Sequence, residues 1–134
     1  MEFCVNGKIY TDKDLYLIAK DMLQYAYAPF SKFCVGAALL GNDGKVYTGV
    51  NVENSSFGAT ICAERTAVTK AVSEGCRSFA AIAIASSGGE AWPCGICRQV
   101  LYEFCDILPV ITGEDEDHLK VMDITQLLKE GFRL

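Results

Sequence analysis

Apolar residues recur along the chain with two different periods, and the change from one period to the other divides the sequence into helices and strands. After Thr11, steps of three and four residues predict an amphipathic helix whose apolar face consists of Leu15, Ile18, Ala19, Met22 and Ala26. Thr11 suits the N-cap of this helix, and Asp14 suits its first turn. Pro29 ends the helix, because proline disfavours helical backbone in the residue before it.

A hairpin follows the first helix. Residues 34–40 are apolar apart from Gly36, which predicts a buried strand, and the sequence Gly41-Asn42-Asp43-Gly44 predicts a turn. The return strand spans Lys45 to Glu53. Its alternation directs one set of side chains to the core, namely Val46, Thr48, Val50 and Val52. The opposite set ends with two polar residues, Asn51 and Glu53, which we expect to project on the same side.

Helices and strands alternate through the rest of the chain. A second helix begins near Thr60 or Ile61, carries a stripe of alanines and ends at Gly75. The later elements are an apolar strand at 79–85, a helix from Cys94 to about Phe104, strands at 107–112 and 119–122, and a short helix at 124–128. This order predicts an α/β fold with three α/β/α layers, in which helices cover both faces of a mixed sheet. The length of 134 residues fits a single domain over residues 1–134.

Composition and charge narrow the possible functions. Apolar residues make up 51% and charged residues 22%, which is typical of a folded domain. The net charge is −5 and no basic cluster stands out, which disfavours a nucleic-acid partner. The longest apolar run is too short for a membrane span, and we see no secretion signal. We therefore expect a cytoplasmic protein with no membrane partner.

The seven cysteines carry the candidate chemistry. Their odd number and the expected compartment disfavour a disulfide framework. Cys94 and Cys97 form a C-x-x-C pair after Pro93 at a predicted helix start, and Cys62 lies at the start of another helix. Helix N-termini favour thiolates, and three thiolates would leave one position of a tetrahedral Zn²⁺ open, as in catalytic zinc sites.

Charged residues surround these three cysteines in sequence. Glu64 could accept a proton from a water on the metal, whose pKa zinc lowers to about 7. Arg65 and Arg98 adjoin the ligands, and we interpret them as charge compensators that donate hydrogen bonds to sulfur. Spacing alone leaves three alternatives open: a thiol-disulfide redox pair, ordinary buried thiols, and a closed, non-catalytic zinc module. The other cysteines and His118 have no such neighbours and are expected to be structural or solvated.

Five segments resemble the small cytidine deaminases that bind zinc through three cysteines. In order, they are Ala28-Pro29-Phe30-Ser31-Lys32-Phe33, Val35-Gly36-Ala37-Ala38-Leu39-Leu40, Asn51-Val52-Glu53-Asn54, Cys62-Ala63-Glu64-Arg65-Thr66-Ala67 and Pro93-Cys94-Gly95-Ile96-Cys97-Arg98-Gln99-Val100. The resemblance covers nearly the whole chain and implies the cytidine deaminase-like fold, with a mixed five-stranded sheet.

The resemblance also implies an activity and a set of site residues. The reaction would be hydrolysis of a C–N bond of a cyclic amidine: cytidine and 2′-deoxycytidine would become uridine and 2′-deoxyuridine plus ammonia, in pyrimidine salvage. One Zn²⁺ per subunit, bound by Cys62, Cys94 and Cys97, would carry the attacking hydroxide, and Glu64 would shuttle protons. The implied substrate-binding residues are Phe33 at the base, Asn51 and Glu53 at the ribose, the backbone of Ala63, and Phe132.

Two further implications concern partners and substrate choice. Family members are usually homotetramers with shared active sites, in which a C-terminal aromatic residue reaches the neighbouring subunit. The Cys-x-Glu motif, unlike the His-x-Glu motif of deaminases acting on nucleic acids or deoxycytidine monophosphate, favours a free nucleoside. The Asn51–Asn54 segment resembles the cytidine enzymes rather than the blasticidin S deaminases. The chain departs from the family pattern at Phe57, where many relatives have tyrosine, and at Lys129, where proline is common.

Overall fold

The N-terminal segment forms a hairpin that the hydrophobic pattern did not predict. The structure, a computed structural model, describes residues 1–134. Strands β1 (Glu2–Val5) and β2 (Lys8–Thr11) pair antiparallel around a turn at Asn6 and Gly7, which have φ values of 51° and 77°. An Asn-Gly pair readily adopts the positive φ angles of such turns. The hairpin leads into helix α1 (Asp12–Asp21), where the predicted N-cap at Thr11 is confirmed as a capping box with Asp14.

A mixed five-stranded sheet forms the centre of the molecule and confirms the predicted class of fold. Its strands in chain order are β3 (Val35–Gly41), β4 (Val46–Val50), β5 (Phe79–Ser86), β6 (Pro109–Gly113) and β7 (Leu119–Asp123). Their spatial order is β4-β3-β5-β6-β7, and only the β5–β6 pair is parallel. A helix separates β5 from β6, as the crossover between two parallel strands requires.

Helices cover both faces of this sheet. Helix α1 packs on one face through Leu15, Tyr16 and Ala19, against small and branched residues of β3, β5 and β6. Helices α2 (Ala63–Ser73), α3 (Gly95–Phe104) and α4 (Ile124–Leu127) belong to the opposite layer, with Val68, Leu101 and Ile124 in its core. The three-layer arrangement is therefore confirmed. Each helix falls short of the length and apolar character that crossing a bilayer would require.

The predicted orientation of β4 is wrong, and the reason is the close approach of α2. Tyr47 and Gly49 are the buried residues of β4, whereas the branched residues expected in the core are only partly buried. A Cβ atom on Gly49 would lie 2.3 Å from the carbonyl oxygen of Ala63 and 2.6 Å from the amide nitrogen of Ala67. Glycine thus lets the alanine stripe of α2 lie directly against the strand, which brings the N-terminus of α2 to the end of β4.

Several element ends also differ from the predictions. Helix α1 ends at Asp21 and continues as a 3-10 turn over Met22–Tyr25, so it is shorter than its apolar periodicity predicted. Strand β4 ends at Val50, and Asn51 lies just beyond it. The predicted stop of α2 is confirmed, since Gly75 has a φ of 93° and lies one residue beyond the C-cap.

Candidate metal centre and substrate pocket

Three cysteine thiols converge at the N-termini of two helices. Cys62 is the N-cap of α2 and Cys94 is the N-cap of α3, while Cys97 lies in the first turn of α3. Neither N-cap thiol is used to cap its own helix. The three sulfur atoms lie within 4.8 Å of one another. The two helix starts expected from sequence therefore bring the C-x-x-C pair and Cys62 into one cluster. A thiol-disulfide redox pair would need only two of these three thiols.

The sulfur geometry fits a tetrahedral zinc ion. The sulfur atoms of Cys62 and Cys94 are 3.8 Å apart. Tetrahedral coordination with Zn–S distances of about 2.3 Å separates two sulfur ligands by about 3.8 Å. Thiolates are soft ligands and favour zinc over magnesium or calcium. The donor set thus fits one Zn²⁺ with three protein ligands.

Positive charge lies against this cluster. The guanidinium of Arg65 donates a hydrogen bond from Nη2 to the sulfur of Cys62 over 3.2 Å. A hydrogen bond with Cys97 lowers the pKa of Cys62 to about 5, and the hydrogen bond from Arg65 also lowers it. The same contact with Cys62 raises the pKa of Cys97. Hydrogen bonding and helix N-termini thus favour a thiolate in the cluster.

Arg98 does not donate to sulfur, which corrects one expectation. Its Nε donates to the carbonyl oxygen of Pro93 over 2.7 Å, and its Nη1 donates to that of Leu127 over 2.8 Å. These bonds tie the start of α3 to the end of α4. Arg98 therefore holds the segment that leads to Cys94 in place, and its hydrogen bonds go to carbonyl oxygens rather than to a thiol.

Glu64 is a buried carboxyl group in the first turn of α2, two residues after Cys62. Its exposed fraction is 5%. Burial, as the largest cause, raises its pKa to about 7. A carboxyl group with a pKa near neutrality can both accept and donate a proton, as general acid–base catalysis requires. The arrangement of thiols and carboxyl group therefore suits hydrolytic chemistry.

A cavity of about 280 Å³ brings most of the predicted site residues together. That volume is near the lower end for small-molecule sites. Its walls comprise Ser31, Phe33, Val35, Asn51, Glu53, Thr60, Cys62, Ala63, Glu64, Ile84, Ala91, Trp92 and Cys94. Six residues of this set were assigned no role from sequence: Ser31, Val35, Thr60, Ile84, Ala91 and Trp92. Three of the six carried a signal in the sequence: Ser31 and Val35 lie in segments that resemble the family, and Trp92 directly precedes the Pro93-Cys94 step.

Asn51 and Glu53 both line the cavity, although neither belongs to β4. The side-chain amide of Asn51 accepts from the amide of Val35 over 2.9 Å and donates to the carbonyl of Phe33 over 2.7 Å. Glu53 accepts from the amides of Phe30 and Ser31 over 2.9 and 3.2 Å. These contacts fix both polar side chains in the wall.

The two predicted aromatic contacts occupy different places. The ring of Phe33 lies in the cavity wall and is 44% exposed. One edge of the ring packs against Gly88, where an added Cβ atom would lie 2.8 Å from the Cε2 atom of Phe33. Phe132 is 65% exposed and does not line the cavity of its own chain. Its carbonyl accepts a hydrogen bond from Gln99 of α3 over 2.8 Å. The structure thus brings Phe33, but not Phe132, to the pocket.

Comparisons with known proteins match this chain to one family. The family model described as the cytidine and deoxycytidylate deaminase zinc-binding region matches residues 9–114. A cytidine deaminase from Sporosarcina psychrophila is 47% identical over 116 residues, which cover 85% of each chain. A probable cytidine deaminase from Dictyostelium discoideum is 54% identical over 104 residues, covering 76% of this chain and 71% of the relative.

A solved structure supports the same relationship and confirms the fold. The crystal structure of a cytidine deaminase from Burkholderia pseudomallei superposes on this chain with a TM-score of 0.86. The match covers 92% of this chain and 100% of that protein, and the two sequences are 44% identical. The matched family region includes all three clustered cysteines and Glu64. The chain therefore belongs to the cytidine and deoxycytidylate deaminase family.

Proposed function

We propose that this protein is a zinc-dependent cytidine deaminase that converts cytidine and 2′-deoxycytidine to uridine and 2′-deoxyuridine plus ammonia. The observation that carries the proposal is a buried carboxyl group, Glu64, which lies beside a three-thiol cluster and lines the same cavity as Asn51 and Glu53. The names of the relatives support the substrate class. Because the substrate is a free nucleoside, the reaction would belong to pyrimidine salvage.

Glu64 would act as the proton carrier of the reaction. Cys62, Cys94 and Cys97 would hold one Zn²⁺, which when bound would lower the pKa of a water molecule to about 7 and so supply the nucleophile for C4 of the base. The carboxylate of Glu64 would take one proton from the attacking water and pass it to N3 of the pyrimidine. It would then take the second proton of that water from the hydroxyl group added at C4 and pass it to the exocyclic amine, so that the C4–N bond breaks and ammonia departs. The burial of Glu64 keeps bulk water away from these transfers.

The remaining pocket residues would hold the nucleoside in place. Phe33 would contact the pyrimidine with its aromatic ring, and the backbone of Ala63 would offer hydrogen-bonding groups at the start of α2; both residues line the cavity. Asn51 and Glu53 would bind the ribose hydroxyls. A site that hydrogen-bonds a hydroxyl strongly rejects analogues lacking it, so free cytosine should be a poor substrate.

A spectrophotometric assay of cytidine conversion to uridine tests the proposal. We expect turnover by the zinc-loaded protein, and loss of about 10²- to 10⁴-fold in Glu64→Ala, because proton transfer contributes that much. Glu64→Ala should retain zinc, since it alters no thiol. Glu74→Ala, at the exposed far end of α2, is the matched control. Zinc-loaded protein without turnover of either nucleoside would refute the substrate assignment, and near-normal rates in Glu64→Ala would refute the proton-carrier role.

We further propose that the domain of residues 1–134 assembles as a homotetramer with one zinc per subunit and shared active sites. Exposed aromatic residues lie beside the pocket: Phe30 and Phe57 pack edge to face with centroids 5.5 Å apart and line a neighbouring hollow that shares Ser31 and Glu53 with the pocket. Tyr27 is also exposed, at 56%. Contiguous exposed apolar surface of this kind is typical of protein interfaces. Phe132, which does not reach its own cavity, would contact a nucleoside in a neighbouring copy. Light scattering after gel filtration tests the assembly, and a monomer would contradict it.

We also propose that the protein is located in the cytoplasm. All seven cysteines are free thiols. Proteins of reducing compartments keep their thiols reduced, and zinc ligands must remain so. Cell fractionation with an antibody against the protein tests this proposal, and recovery outside the cytoplasmic fraction would contradict it.

A further inference from the structure

The hydroxyl of Ser31 connects two walls of the pocket. It donates a hydrogen bond to the Oε2 atom of Glu53, and its oxygen accepts one from the amide of Phe33 over 3.0 Å. Ser31 itself lines the cavity and is exposed. One small side chain therefore links the carboxylate of Glu53 with the backbone of Phe33, and both of these residues line the cavity.

Glu53 has its orientation set by this segment. Both of its oxygens are engaged, Oε1 by two backbone amides and Oε2 by the Ser31 hydroxyl. These hydrogen bonds, led by the one from Ser31, lower the pKa of Glu53, so the group is ionised at neutral pH. An ionised carboxylate has about four acceptor positions, so it can still accept from a ligand hydroxyl.

The backbone of Phe33 is held from both sides. Its amide donates to Ser31, and its carbonyl accepts from the side chain of Asn51 over 2.7 Å. The intervening Lys32 has a φ of 62°, a left-handed conformation that costs a non-glycine residue about 1 kcal/mol or more. The hydrogen bonds that Phe33 makes with Ser31 and Asn51 offset this strain and hold the turn. The position of the Phe33 ring and that of the Glu53 carboxylate are thus set by the same short segment.

We propose that Ser31 is a positioning residue for sugar recognition, which aims the Glu53 carboxylate at a ribose hydroxyl while the base lies against Phe33. The inference rests on the proposed function, because it assumes that the cavity binds a nucleoside. Ser31 itself takes no part in breaking the C–N bond. Its removal should therefore weaken binding of ligands that carry ribose hydroxyls and leave the chemical step almost unchanged.

Steady-state kinetics of Ser31→Ala test this role. We expect the KM for cytidine and the inhibition constant of uridine to rise about tenfold, in the range expected for losing a hydrogen bond to a charged group. The inhibition constant of 2′,3′-dideoxyuridine, which lacks both ring hydroxyls, should change by less than about threefold, and so should kcat. Ser31→Thr restores a hydroxyl at an exposed position and should recover wild-type binding. Ser73→Ala, which removes an exposed hydroxyl at the far end of α2, is the matched control.

The outcomes separate this inference from the proposed function. Absence of cytidine turnover by the wild type would refute the proposed function and the inference with it. If the wild type is active, a fall in kcat without a change in KM would overturn the positioning role. Equal weakening of uridine and 2′,3′-dideoxyuridine would overturn the link to the sugar. Thermal unfolding of each variant shows whether a loss of activity or binding reflects a loss of folded protein. A Ser31→Thr variant that is fully folded but inactive would also count against the proposal.

Discussion

Replacing Gly49 by alanine should displace the metal centre without touching a metal ligand. Gly49 lies in β4 directly beneath the first turn of α2. Its new Cβ would lie 2.3 Å from the Ala63 oxygen and 2.6 Å from the Ala67 nitrogen, and both of these are backbone atoms. No side chain can rotate away, so the helix start must move by at least 0.7 Å to reach a separation of 3.0 Å. That helix start carries Cys62 and Glu64.

The displacement sets the expected magnitudes. Overpacking of this kind costs about 1–3 kcal/mol. At this chain length each kcal/mol corresponds to about 3–5 °C in Tm, so we expect a fall of roughly 3–15 °C. A displacement near 1 Å at a catalytic group can cost about 10²-fold in rate, so kcat/KM for cytidine should fall at least about tenfold. Zinc retained after gel filtration should fall as well, because Cys62 shifts with the helix start relative to Cys94.

Thermal unfolding, metal analysis and cytidine turnover together check this prediction. Gly95→Ala is the control: it is the same substitution at the first residue of α3, where an added Cβ meets no atom within 4 Å. Alanine there should leave Tm unchanged or raise it, since glycine costs about 0.5–1 kcal/mol more than alanine in a helix. If Gly49→Ala matched the wild type in Tm, zinc content and turnover, the inference that close packing of α2 on β4 positions the site would be wrong.

Two further predictions concern thiol reactivity and a buried hydroxyl. Removing zinc with a chelator should expose the thiols of Cys62 and Cys94 to maleimide, whereas Cys105, whose pKa burial raises to about 11, should label only on unfolding. Peptide mass spectrometry checks this, and equal labelling before and after chelation would contradict the metal assignment. Thr112→Val should cost about 1–3 kcal/mol, because the fully buried Thr112 hydroxyl accepts from the amide of Ala91 in the pocket wall. Urea unfolding measures the loss, and an unchanged midpoint would show that this amide finds another partner.

The sequence predicted the metal cluster well because its determinants are local. Pro93 marks the start of α3, and the alanine stripe marks the face of α2, so the positions of Cys62 and Cys94 at two helix starts follow from short segments. That both helices lie on the same side of the sheet is a property of the tertiary fold, which periodicity does not show. The N-terminal hairpin was missed, although Asn6-Gly7 is a recognisable turn signal.

Features that depend on packing were predicted poorly. Alternation alone could not show which side of β4 faces α2, because the decisive residue, Gly49, has no side chain to classify as apolar or polar. The hydrogen bonds of Arg98 go to carbonyls because α4, near in space but distant in sequence, ends beside it. The cavity walls at Ser31 and Ile84 come from a turn and a strand whose meeting is set by the tertiary fold. The hydrophobic pattern around them does not indicate a cavity wall.

The placement of the thiols on two helices has a consequence for the lifetime of the protein. Cys62 and Cys94 are separated by 32 residues, so a metal ion that joins them acts as a reversible crosslink between two parts of the chain. Ligation that favours the folded state adds to its stability, by about 1.4 kcal/mol for each tenfold excess of free zinc over the dissociation constant. Resistance to proteolysis would therefore follow the zinc supply of the cell, and the abundance of the enzyme would respond to metal starvation before its catalytic constants could.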